Sequence, residues 1–324
     1  MKIFVTGGSG FIGSVVVRTL LERGYQVRCL LRPTSNTERL TTLDYERVEG
    51  DVREPTTIMV GMDGCRAVIH LACLSAWDQI DSPEMEDVAV GGTRTVLDAA
   101  GKLGNVRVVF VSSIAAVGAT SAPRLLDEDT GYNLLTTKGL TYSHAKHRAE
   151  MLCQQAVRAG LDVVIVNPAE VYGPNDTALV TAGNLVDFAT SNPVFVCHGG
   201  TSIAYVDDVA VGAVHALERG RRGERYILGG PNLTLSELAR LCLNILGKKA
   251  CVITLPNGVI KTLTRVATTL RIPLPYNPRV IPYATRYWFV DSSKAQRELG
   301  RRFRSARDTL APTLAWLQQA GYIS

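Results

Sequence analysis

The chain has 324 residues, of which 46% are hydrophobic and 20% are charged, as expected for a globular protein with a large core. Its formal net charge of +5 is small for this length, and no lysine and arginine run is as long as a nucleic-acid-binding arm, so no nucleic acid partner is indicated. The most apolar window, Val106 to Val117, is too short to cross a bilayer, so no membrane partner is predicted either.

The first fourteen residues predict a dinucleotide-binding turn. A short apolar strand, Lys2 to Val5, runs into Thr6-Gly7-Gly8-Ser9-Gly10-Phe11-Ile12-Gly13-Ser14, and an amphipathic helix follows over Phe11 to Glu22. Glycines three residues apart allow a tight turn and let backbone N–H groups approach a pyrophosphate at the positive end of the helix. A purely structural turn is the alternative. We predict that this segment binds the cofactor through Gly7, Gly10, Phe11, Ile12 and Gly13.

The second strand, Gln26 to Leu31, ends without an acid. In dinucleotide-binding folds this strand usually ends at a carboxylate that hydrogen-bonds the adenosine ribose hydroxyls. Here Leu31 holds that position and Arg32 follows. A guanidinium can bind a 2′-phosphate that a carboxylate would repel, so the sequence favours NADP(H). NAD(H) stays open, because Arg32 could also be a simple surface residue.

Two further strands end near the expected cofactor. The third, Tyr45 to Gly50, is followed by Asp51-Val52, where an acid could accept the adenine amino group. The fourth, Ala67 to Ala72, would end beside the ribose and nicotinamide. We interpret His70 in this apolar run as a core residue, and Cys73 as a packing residue because no partner base is suggested.

The alternation of strands and helices predicts an α/β fold. A helix from about Met85 to Lys102 leads into a fifth strand, Arg107 to Val111, which ends at Ser112-Ser113. Continuous apolar strands separated by helices indicate a Rossmann doubly wound parallel sheet that is covered on both faces. Because the active crevice of such a sheet lies at the carboxyl ends of its strands, Ser113 should reach the same edge as the glycine turn.

Tyr142 and Lys146 lie four residues apart in a predicted helix, Leu140 to Ala159, so they share one face. A nearby ammonium favours the phenolate and should lower the pKa of the tyrosine, which could then act as a general acid or base. This spacing is common by chance, and it gains weight from the glycine turn and from Ser113. Ser113 would hold the substrate oxygen. We predict Ser113, Tyr142 and Lys146 as the catalytic set.

The rest of the chain predicts the end of the sheet and a smaller mixed lobe. After a sixth strand, Val163 to Val166, the sequence becomes irregular, and such insertions often form substrate loops. A helix with an aspartate of Asp207-Asp208 at its N-cap should run to about Arg219, before a last strand at Tyr226 to Leu228. Further helices are predicted over 235–246, 259–270, 292–299 and 310–320, with a loop over 272–282. The predicted domains are 1–170 for NADP(H) binding, completed by about 205–230, and 171–204 with 231–324 for the substrate.

Three motifs occur in this order along the chain: Gly7-x-x-Gly10-x-x-Gly13, Ser113 and Tyr142-Ser143-His144-Ala145-Lys146. Together they resemble the extended short-chain dehydrogenase/reductase superfamily. The dihydroflavonol-reductase-like branch, and its relatives among hopanoid-associated sugar epimerases, are similar over nearly the whole chain. The segments that carry this likeness are Arg28 to Ser35, Val111-Ser112-Ser113, Val166-Asn167-Pro168, Tyr205-Val206-Asp207-Asp208, Arg225 to Gly230 and Ser293 to Gly300.

The resemblance implies further roles for individual residues. It implies that Lys146 also binds the nicotinamide ribose, that Asp51-Val52 contacts adenine, and that Leu71-Ala72 and Asn167-Pro168 border the nicotinamide. It also implies a homodimer formed through the two longest helices that cover the sheet.

Two positions depart from the pattern of these families. Ala89 stands where an asparagine is usual, which puts a proton-relay or anchoring role of that residue in doubt. Thr201-Ser202-Ile203 stands where sugar-nucleotide enzymes carry Arg-Asp-Phe, which favours a less charged ketone or aldehyde as substrate. Candidate substrate-lining residues are Ile114, Ala116, Glu170, Tyr172 and Asn175, and an apolar lining would suit a hydrophobic or aromatic ligand.

Three functions are consistent with these residues. The favoured one is NADP(H)-dependent reduction of a small-molecule carbonyl to an alcohol. The alternatives are an NAD-dependent sugar-nucleotide epimerase, which would use the same residues, and a non-catalytic dinucleotide sensor, which would not need the catalytic set. The seven cysteines are scattered without C-x-x-C spacing, as expected for reduced thiols in a cytoplasmic protein, and no metal site is predicted.

Overall fold

The computed structural model describes residues 1–274 and 276–324, so Pro275, in the predicted loop 272–282, lies outside the described residues. The strands are β1 (Lys2–Thr6), β2 (Gln26–Leu31), β3 (Glu46–Glu49), β4 (Ala67–His70), β5 (Arg107–Val111), β6 (Val163–Pro168), β7 (Glu170–Tyr172), β8 (Val194–Cys197), β9 (Gly200–Tyr205), β10 (Arg225–Leu228), β11 (Asn232–Thr234), β12 (Val252–Leu255) and β13 (Tyr287–Trp288). The helices are α1 (Phe11–Glu22), α2 (Pro55–Met62), α3 (Glu84–Glu86), α4 (Gly92–Leu103), α5 (Thr141–Arg158), α6 (Ala182–Thr190), α7 (Val206–Arg219), α8 (Leu235–Leu246), α9 (Asn257–Thr269), α10 (Ile281–Ala284), α11 (Ser293–Glu298) and α12 (Ala306–Gln319).

Seven parallel strands form the main sheet, in the order β3-β2-β1-β4-β5-β6-β10. Alternate side chains of β1 enter different cores, with Ile3 and Val5 on one face and Phe4 on the other. Both faces of the sheet are therefore buried, which explains why its strands are continuously apolar. The predicted doubly wound Rossmann fold is confirmed, and the carboxyl ends of β1, β4, β5 and β6 meet along one edge.

The helix predicted over residues 85–102 is interrupted. The short helix α3 continues into a single π-helical turn at Asp87–Gly91 before α4 begins. A glycine pair occupies this junction, and glycine adds backbone freedom. A Cβ on Gly92 would lie 2.8 Å from Val52 Cγ1, so the missing side chain lets α4 pack closely on the segment that follows β3.

The aspartate predicted to cap α7 has a different role. Tyr205 is the N-cap, and it makes no side-chain capping bond. Asp208 is fully buried in the first turn, where its carboxylate pairs with Arg301 and accepts the backbone N–H of Arg304 at 3.0 Å. An aspartate can be buried here because cationic partners arrive from a segment more than ninety residues away in the sequence.

The segment after β6 that the sequence predicts as irregular contains regular elements. Strand β9 pairs with β7, β11 and β13, while β8 pairs with β12. These strands are short, and most of their partners lie 30 to 90 residues away, so no local pattern shows them. Together with α6, α8, α9 and α12 they form a mixed lobe against the carboxyl edge of the main sheet.

Candidate active site

The glycine turn is closed against the next strand. Gly7 has φ +73°, and a Cβ on it would lie 2.7 Å from the Ala72 backbone nitrogen. A Cβ on Gly13 would lie 2.0 Å from the Gly7 carbonyl oxygen, and Gly10 N–H donates to that same oxygen at 3.1 Å. Only glycine fits these positions, and the turn thereby brings the first, acid-free turn of α1 to the sheet edge.

A cavity of about 1080 Å³ runs from this turn into the mixed lobe. This volume is large enough for a dinucleotide together with part of a substrate. The predicted site residues on its wall are Gly7, Gly10, Phe11, Ile12, Gly13, Arg32, Asp51, Val52, Leu71, Ala72, Ser113, Tyr142, Lys146 and Pro168. Asn167 is fully buried behind the wall and does not line the cavity.

Basic and hydroxyl groups gather where β2 ends. Arg32 is exposed on the cavity wall, its backbone N–H donates to Ser35 Oγ at 3.0 Å, and Leu31 beside it is buried. Arg39, which the sequence analysis missed, reaches the Asn175 carbonyl at 2.7 Å and lines the same end. Arg39 follows β2 in a segment without helix or strand periodicity, so the sequence pattern did not indicate it. Asp51 forms an ion pair with Arg53, which lowers the pKa of the Asp51 carboxyl.

Two elements bring the predicted catalytic side chains to one wall. Ser113 follows β5, and its Oγ accepts the Ala115 backbone N–H at 3.1 Å. Tyr142 and Lys146 lie on α5, where the Lys146 Nζ is 5.9 Å from the centre of the Tyr142 ring. Lys146 is 3% exposed and its ammonium donates to the Val111 carbonyl at 2.9 Å.

The expected lowering of the Tyr142 pKa is not found in this arrangement. Burial raises the pKa of Tyr142 above its ordinary value, the neighbouring Cys73 raises it further, and the hydroxyl of Ser113 opposes this in part. Desolvation of the phenol is the largest cause of this shift, and the Lys146 ammonium donates to the Val111 carbonyl. Tyr142 is therefore held in its neutral form, which can donate a proton.

Polar contacts behind the wall fix α5 against the turn after β5. Ser143 Oγ donates to the Ala115 carbonyl at 2.6 Å. One turn beyond Lys146, the Glu150 carboxylate accepts a bond from Asn167 Nδ2 at 2.5 Å, and the same amide donates to the Ser113 carbonyl at 2.9 Å. Asn167 thus links the helix of Tyr142 to the backbone of Ser113.

His70 lies in the core, as the sequence analysis interprets it. It is 1% exposed, its Nδ1 is 2.6 Å from Thr6 Oγ1, and its Nε2 is 3.1 Å from Thr93 Oγ1. Thr93 donates its own proton to the Ala89 carbonyl at 2.6 Å, and Thr6 accepts the Ala72 N–H at 3.3 Å. These bonds are satisfied by a neutral ring protonated on Nε2. Burial lowers the pKa of His70 to about 3.

The lobe end of the cavity is mainly apolar and aromatic. Tyr283 packs edge-to-face on Trp77, with ring centres 5.6 Å apart, and stacks on Trp288 at 5.8 Å. Of the predicted lining residues, Ile114 and Glu170 reach this cavity. Ala116 and Tyr172 are fully buried outside its wall, and Asn175 lies at the surface with φ +72°.

A carboxyl group is held inside this apolar end. Glu170 Oε1 accepts bonds from Tyr172 Oη at 2.7 Å and from Asn184 Nδ2 at 2.9 Å. Desolvation raises the pKa of Glu170, so burial favours its uncharged form.

The seven cysteines are free thiols, of which Cys251 is exposed and Cys73 lies on the cavity wall. Within the described part of the chain, no helix combines the length and apolar character needed to cross a bilayer.

Comparison with known proteins identifies the family. A family model described as the NAD dependent epimerase/dehydratase family matches residues 3–229. The chain belongs to this family. The resemblance indicated by the motifs is confirmed, and the protein is an enzyme of the extended short-chain dehydrogenase/reductase type, an NAD(P)-dependent oxidoreductase.

Its relatives include both reductases and epimerases. A protein of Synechocystis sp. named as a dihydroflavonol 4-reductase is 34% identical over 99% of this chain and 95% of its own length. The 4-hydroxy-2-methyl-3-oxo-4-farnesyl-3,4-dihydroquinoline-1-oxide ketoreductase of Stigmatella aurantiaca is 33% identical, covering 99% and 97%. PA4631, a nucleoside-diphosphate-sugar epimerase from Pseudomonas aeruginosa with a known crystal structure, is 25% identical in sequence. The two structures superpose with a TM-score of 0.81 over 100% of this chain and 99% of PA4631.

Proposed function

We propose that this protein is an NADP(H)-dependent reductase that converts a ketone or aldehyde to an alcohol. The observation that carries this proposal is the convergence of Ser113, Tyr142 and Lys146 on one wall of the cavity that begins at the glycine turn. A hydroxyl, a neutral phenol and an ammonium in this arrangement can bind a carbonyl oxygen and protonate it.

The cavity wall fits an extended dinucleotide. The glycine turn and the N-terminus of α1 offer N–H groups to a pyrophosphate, Asp51-Val52 lies at the adenine end, and Leu71-Ala72 with Pro168 lies beside the catalytic side chains. When bound, the reduced nicotinamide supplies a hydride to the carbonyl carbon. Lys146, the predicted ribose ligand, lies on this wall beside Tyr142.

The protein's own part in the reaction is to bind and protonate the carbonyl oxygen. Ser113 Oγ–H donates a hydrogen bond to that oxygen, which polarises the carbonyl. Tyr142 Oη then gives its proton to the oxygen as the alcohol forms. Because burial raises the pKa of Tyr142, the phenol stays protonated through the neutral range, which is the protonation state that carbonyl reduction requires.

The end of β2 supports NADP(H) rather than NAD(H). Leu31 replaces the usual carboxylate, and Arg32 and Ser35 stand on the cavity wall where a 2′-phosphate would lie. The guanidinium of Arg32 forms no ion pair among the described residues, so it is available to a phosphate.

The substrate class is supported by the relatives and by the cavity. The Synechocystis and Stigmatella proteins are named for ring ketones, and the latter substrate carries a farnesyl chain. The aromatic group of Trp77, Tyr283 and Trp288 offers stacking surface to a ring of this kind.

The proposal is tested by identifying the cofactor and the direction of the reaction. The purified protein is denatured, any released dinucleotide is identified, and a panel of aryl ketones is offered with NADPH and with NADH. A reductase consumes reduced cofactor in equal amount to the ketone. An epimerase, the alternative supported by the similarity to PA4631, interconverts sugar nucleotides without net cofactor consumption. That result would contradict the proposal.

Replacing the proton donor gives a first mutational prediction. Tyr142→Phe should lower turnover by roughly two to four orders of magnitude, because a general acid is lost, while NADPH affinity stays nearly unchanged. Single-turnover rates and fluorescence titration with NADPH measure the two quantities. Tyr322→Phe, at the exposed C-terminus, is the matched control. Unaltered turnover in Tyr142→Phe would exclude this residue as proton donor.

A second prediction concerns the choice of cofactor. Arg32→Ala should weaken NADPH binding about tenfold or more while changing NADH binding little, because a charge-assisted bond to phosphate contributes about 1.5–3 kcal/mol. Titration of both reduced cofactors measures this difference. Arg47→Ala removes a surface arginine on β3 and should leave both affinities unchanged. Equal weakening of NADPH and NADH by Arg32→Ala would contradict the assignment.

A further inference from the structure

An arginine that has no ion-pair partner among the described residues lies in the apolar end of the cavity. Arg286 lines the cavity between α10 and β13 and is half-buried. One arm of its guanidinium donates to the Pro282 carbonyl, and its other N–H groups have no protein acceptor among residues 1–274 and 276–324. No carboxylate of the described residues lies within ion-pair distance of this guanidinium, and desolvation lowers the pKa of Arg286.

The carboxyl groups on the cavity wall are engaged elsewhere. Asp51 pairs with Arg53 at the adenine end, and Asp176 accepts the N–H groups of the first turn of α6. Glu170 is bonded to neutral partners, and burial raises the pKa of both Glu170 and Asp187. The cavity therefore contains a cation that none of its own acids neutralises.

The surroundings of Arg286 are apolar, which makes the lack of a counter-ion costly. Cys197, Ile260 and Ile281 form a small core against the segment that carries Arg286, and all three line the cavity. A half-desolvated guanidinium gains most from an anion that completes its hydrogen bonds.

The position of Arg286 in the fold explains why the local sequence pattern did not indicate it as a site residue. Strand β13 pairs with β9 in the register Tyr287 with Gly200 and Trp288 with Thr201. Arg286 therefore lies beside the start of the segment Thr201-Ser202-Ile203. This segment lacks the arginine that sugar-nucleotide enzymes carry there, and for that reason the sequence favours a less charged substrate. The neighbouring strand returns a guanidinium to this region of the cavity from 85 positions further along the chain (286 minus 201).

We propose that Arg286 binds an anionic group of the substrate, so that the carbonyl compound reduced here has an aromatic or apolar body that carries a carboxylate or a comparable anion. This inference rests on the proposed reductase function. The ring packs on Trp77, Tyr283 and Trp288, and the anion accepts hydrogen bonds from the free N–H groups of Arg286. Arg286 thus selects the substrate, whereas Ser113 and Tyr142 act on its carbonyl.

The test compares ketones that differ only in charge. The pairs are 4-acetylbenzoate with its methyl ester and 6-acetyl-2-naphthoate with its methyl ester, reduced with NADPH. The wild type should prefer at least one acid over its ester in kcat/KM. Arg286→Gln should reduce that preference by about tenfold to a hundredfold, and Arg286→Lys should retain part of it. Arg265→Gln, which removes an exposed charge on α9, should keep the wild-type ratio.

Direct binding separates this inference from the proposed function. Calorimetric titration of the two acids into the protein saturated with oxidised cofactor needs no turnover. Weaker binding of an acid to Arg286→Gln, but not to Arg265→Gln, supports the anion site even if neither ketone is reduced. An acid-to-ester ratio that is unchanged in Arg286→Gln, or a wild type that binds neither acid, overturns the proposal. Thermal melting of each variant establishes that it is folded.

Discussion

Burial decides the charge state of individual side chains around the cavity. The phenol of Tyr142 and the carboxyl of Glu170 are both pushed towards their neutral forms by desolvation. The ammonium of Lys146 is buried as well, but it donates to the Val111 carbonyl. A neutral acid beside a fixed cation is an arrangement suited to giving a proton to an oxygen on which negative charge develops.

At the residue scale, we predict that His70 makes the free energy of unfolding depend on pH. Its pKa is lowered by burial to about 3 in the folded protein, against about 6.5 in an unfolded chain. The unfolded state therefore binds more protons below about pH 6.5, and the contribution of His70 to stability is lost as pH falls from there through the folded pKa. The free energy of unfolding should fall by at most about 1.4 kcal/mol per pH unit from this group.

Denaturant titrations at several pH values measure that slope. His70→Gln should have a shallower dependence between about pH 6.5 and 4 than the wild type, although it is less stable at pH 7 because the bonds to Thr6 and Thr93 are disturbed. His198→Gln, a change at an exposed position, should follow the wild-type slope. Parallel slopes for wild type and His70→Gln would show that this histidine does not titrate on unfolding.

At the scale of elements, the ends of parallel strands and one face of α5 position the residues of the candidate active site. The glycine turn follows β1, Leu71-Ala72 follows β4 and Ser113 follows β5, so parallel pairing alone brings them to one edge. Helix α5 then places Tyr142 and Lys146 against that edge. Its orientation is fixed by Ser143 on the Ala115 carbonyl, and by Glu150 through Asn167.

The junction of β1 and α1 gives a prediction at this scale. Gly13→Ala would place a methyl group 2.0 Å from the Gly7 carbonyl oxygen, so the turn must shift. We expect dinucleotide affinity to fall at least about tenfold and the protein to lose about 1–3 kcal/mol of stability, as is typical for overpacking. Titration with NADPH and chemical denaturation measure the two effects.

A glycine in open space is the matched control for that change. Gly258 lies in the first turn of α9, and a Cβ there would meet nothing within 4 Å. Gly258→Ala should leave NADPH affinity unchanged and the stability unchanged or slightly increased. If Gly13→Ala bound NADPH as tightly as Gly258→Ala, the close approach at this turn would not be required for binding.

At the scale of the whole molecule, the cavity joins two parts of the chain with different packing. One wall is the carboxyl edge of the seven-stranded sheet, and the other is the mixed lobe built around β9. Elements between β6 and β10, and others after β10, contribute to that lobe. The sheet wall carries the glycine turn and the proposed catalytic set, while the lobe wall carries Arg286, Trp288 and Glu170. The two proposals therefore assign the reaction chemistry and the substrate choice to different parts of the fold.

The sequence by itself determined the sheet and the residues at its carboxyl edge. Each parallel strand is apolar and locally bounded, and the residue that follows it must reach the edge, so Gly7, Arg32 and Ser113 could be named from local pattern. The spacing of Tyr142 and Lys146 is likewise fixed by the helix period.

Only the tertiary structure decided the pKa of Tyr142, the place of Asn167, the pairing of Asp208 and the presence of Arg286 in the cavity. Desolvation and ion pairing depend on atoms from distant parts of the chain, and the β9 sheet is assembled from strands whose partners are mostly far away in sequence. A local pattern records which side chains are available, whereas their charge and their partners depend on what the fold packs around them.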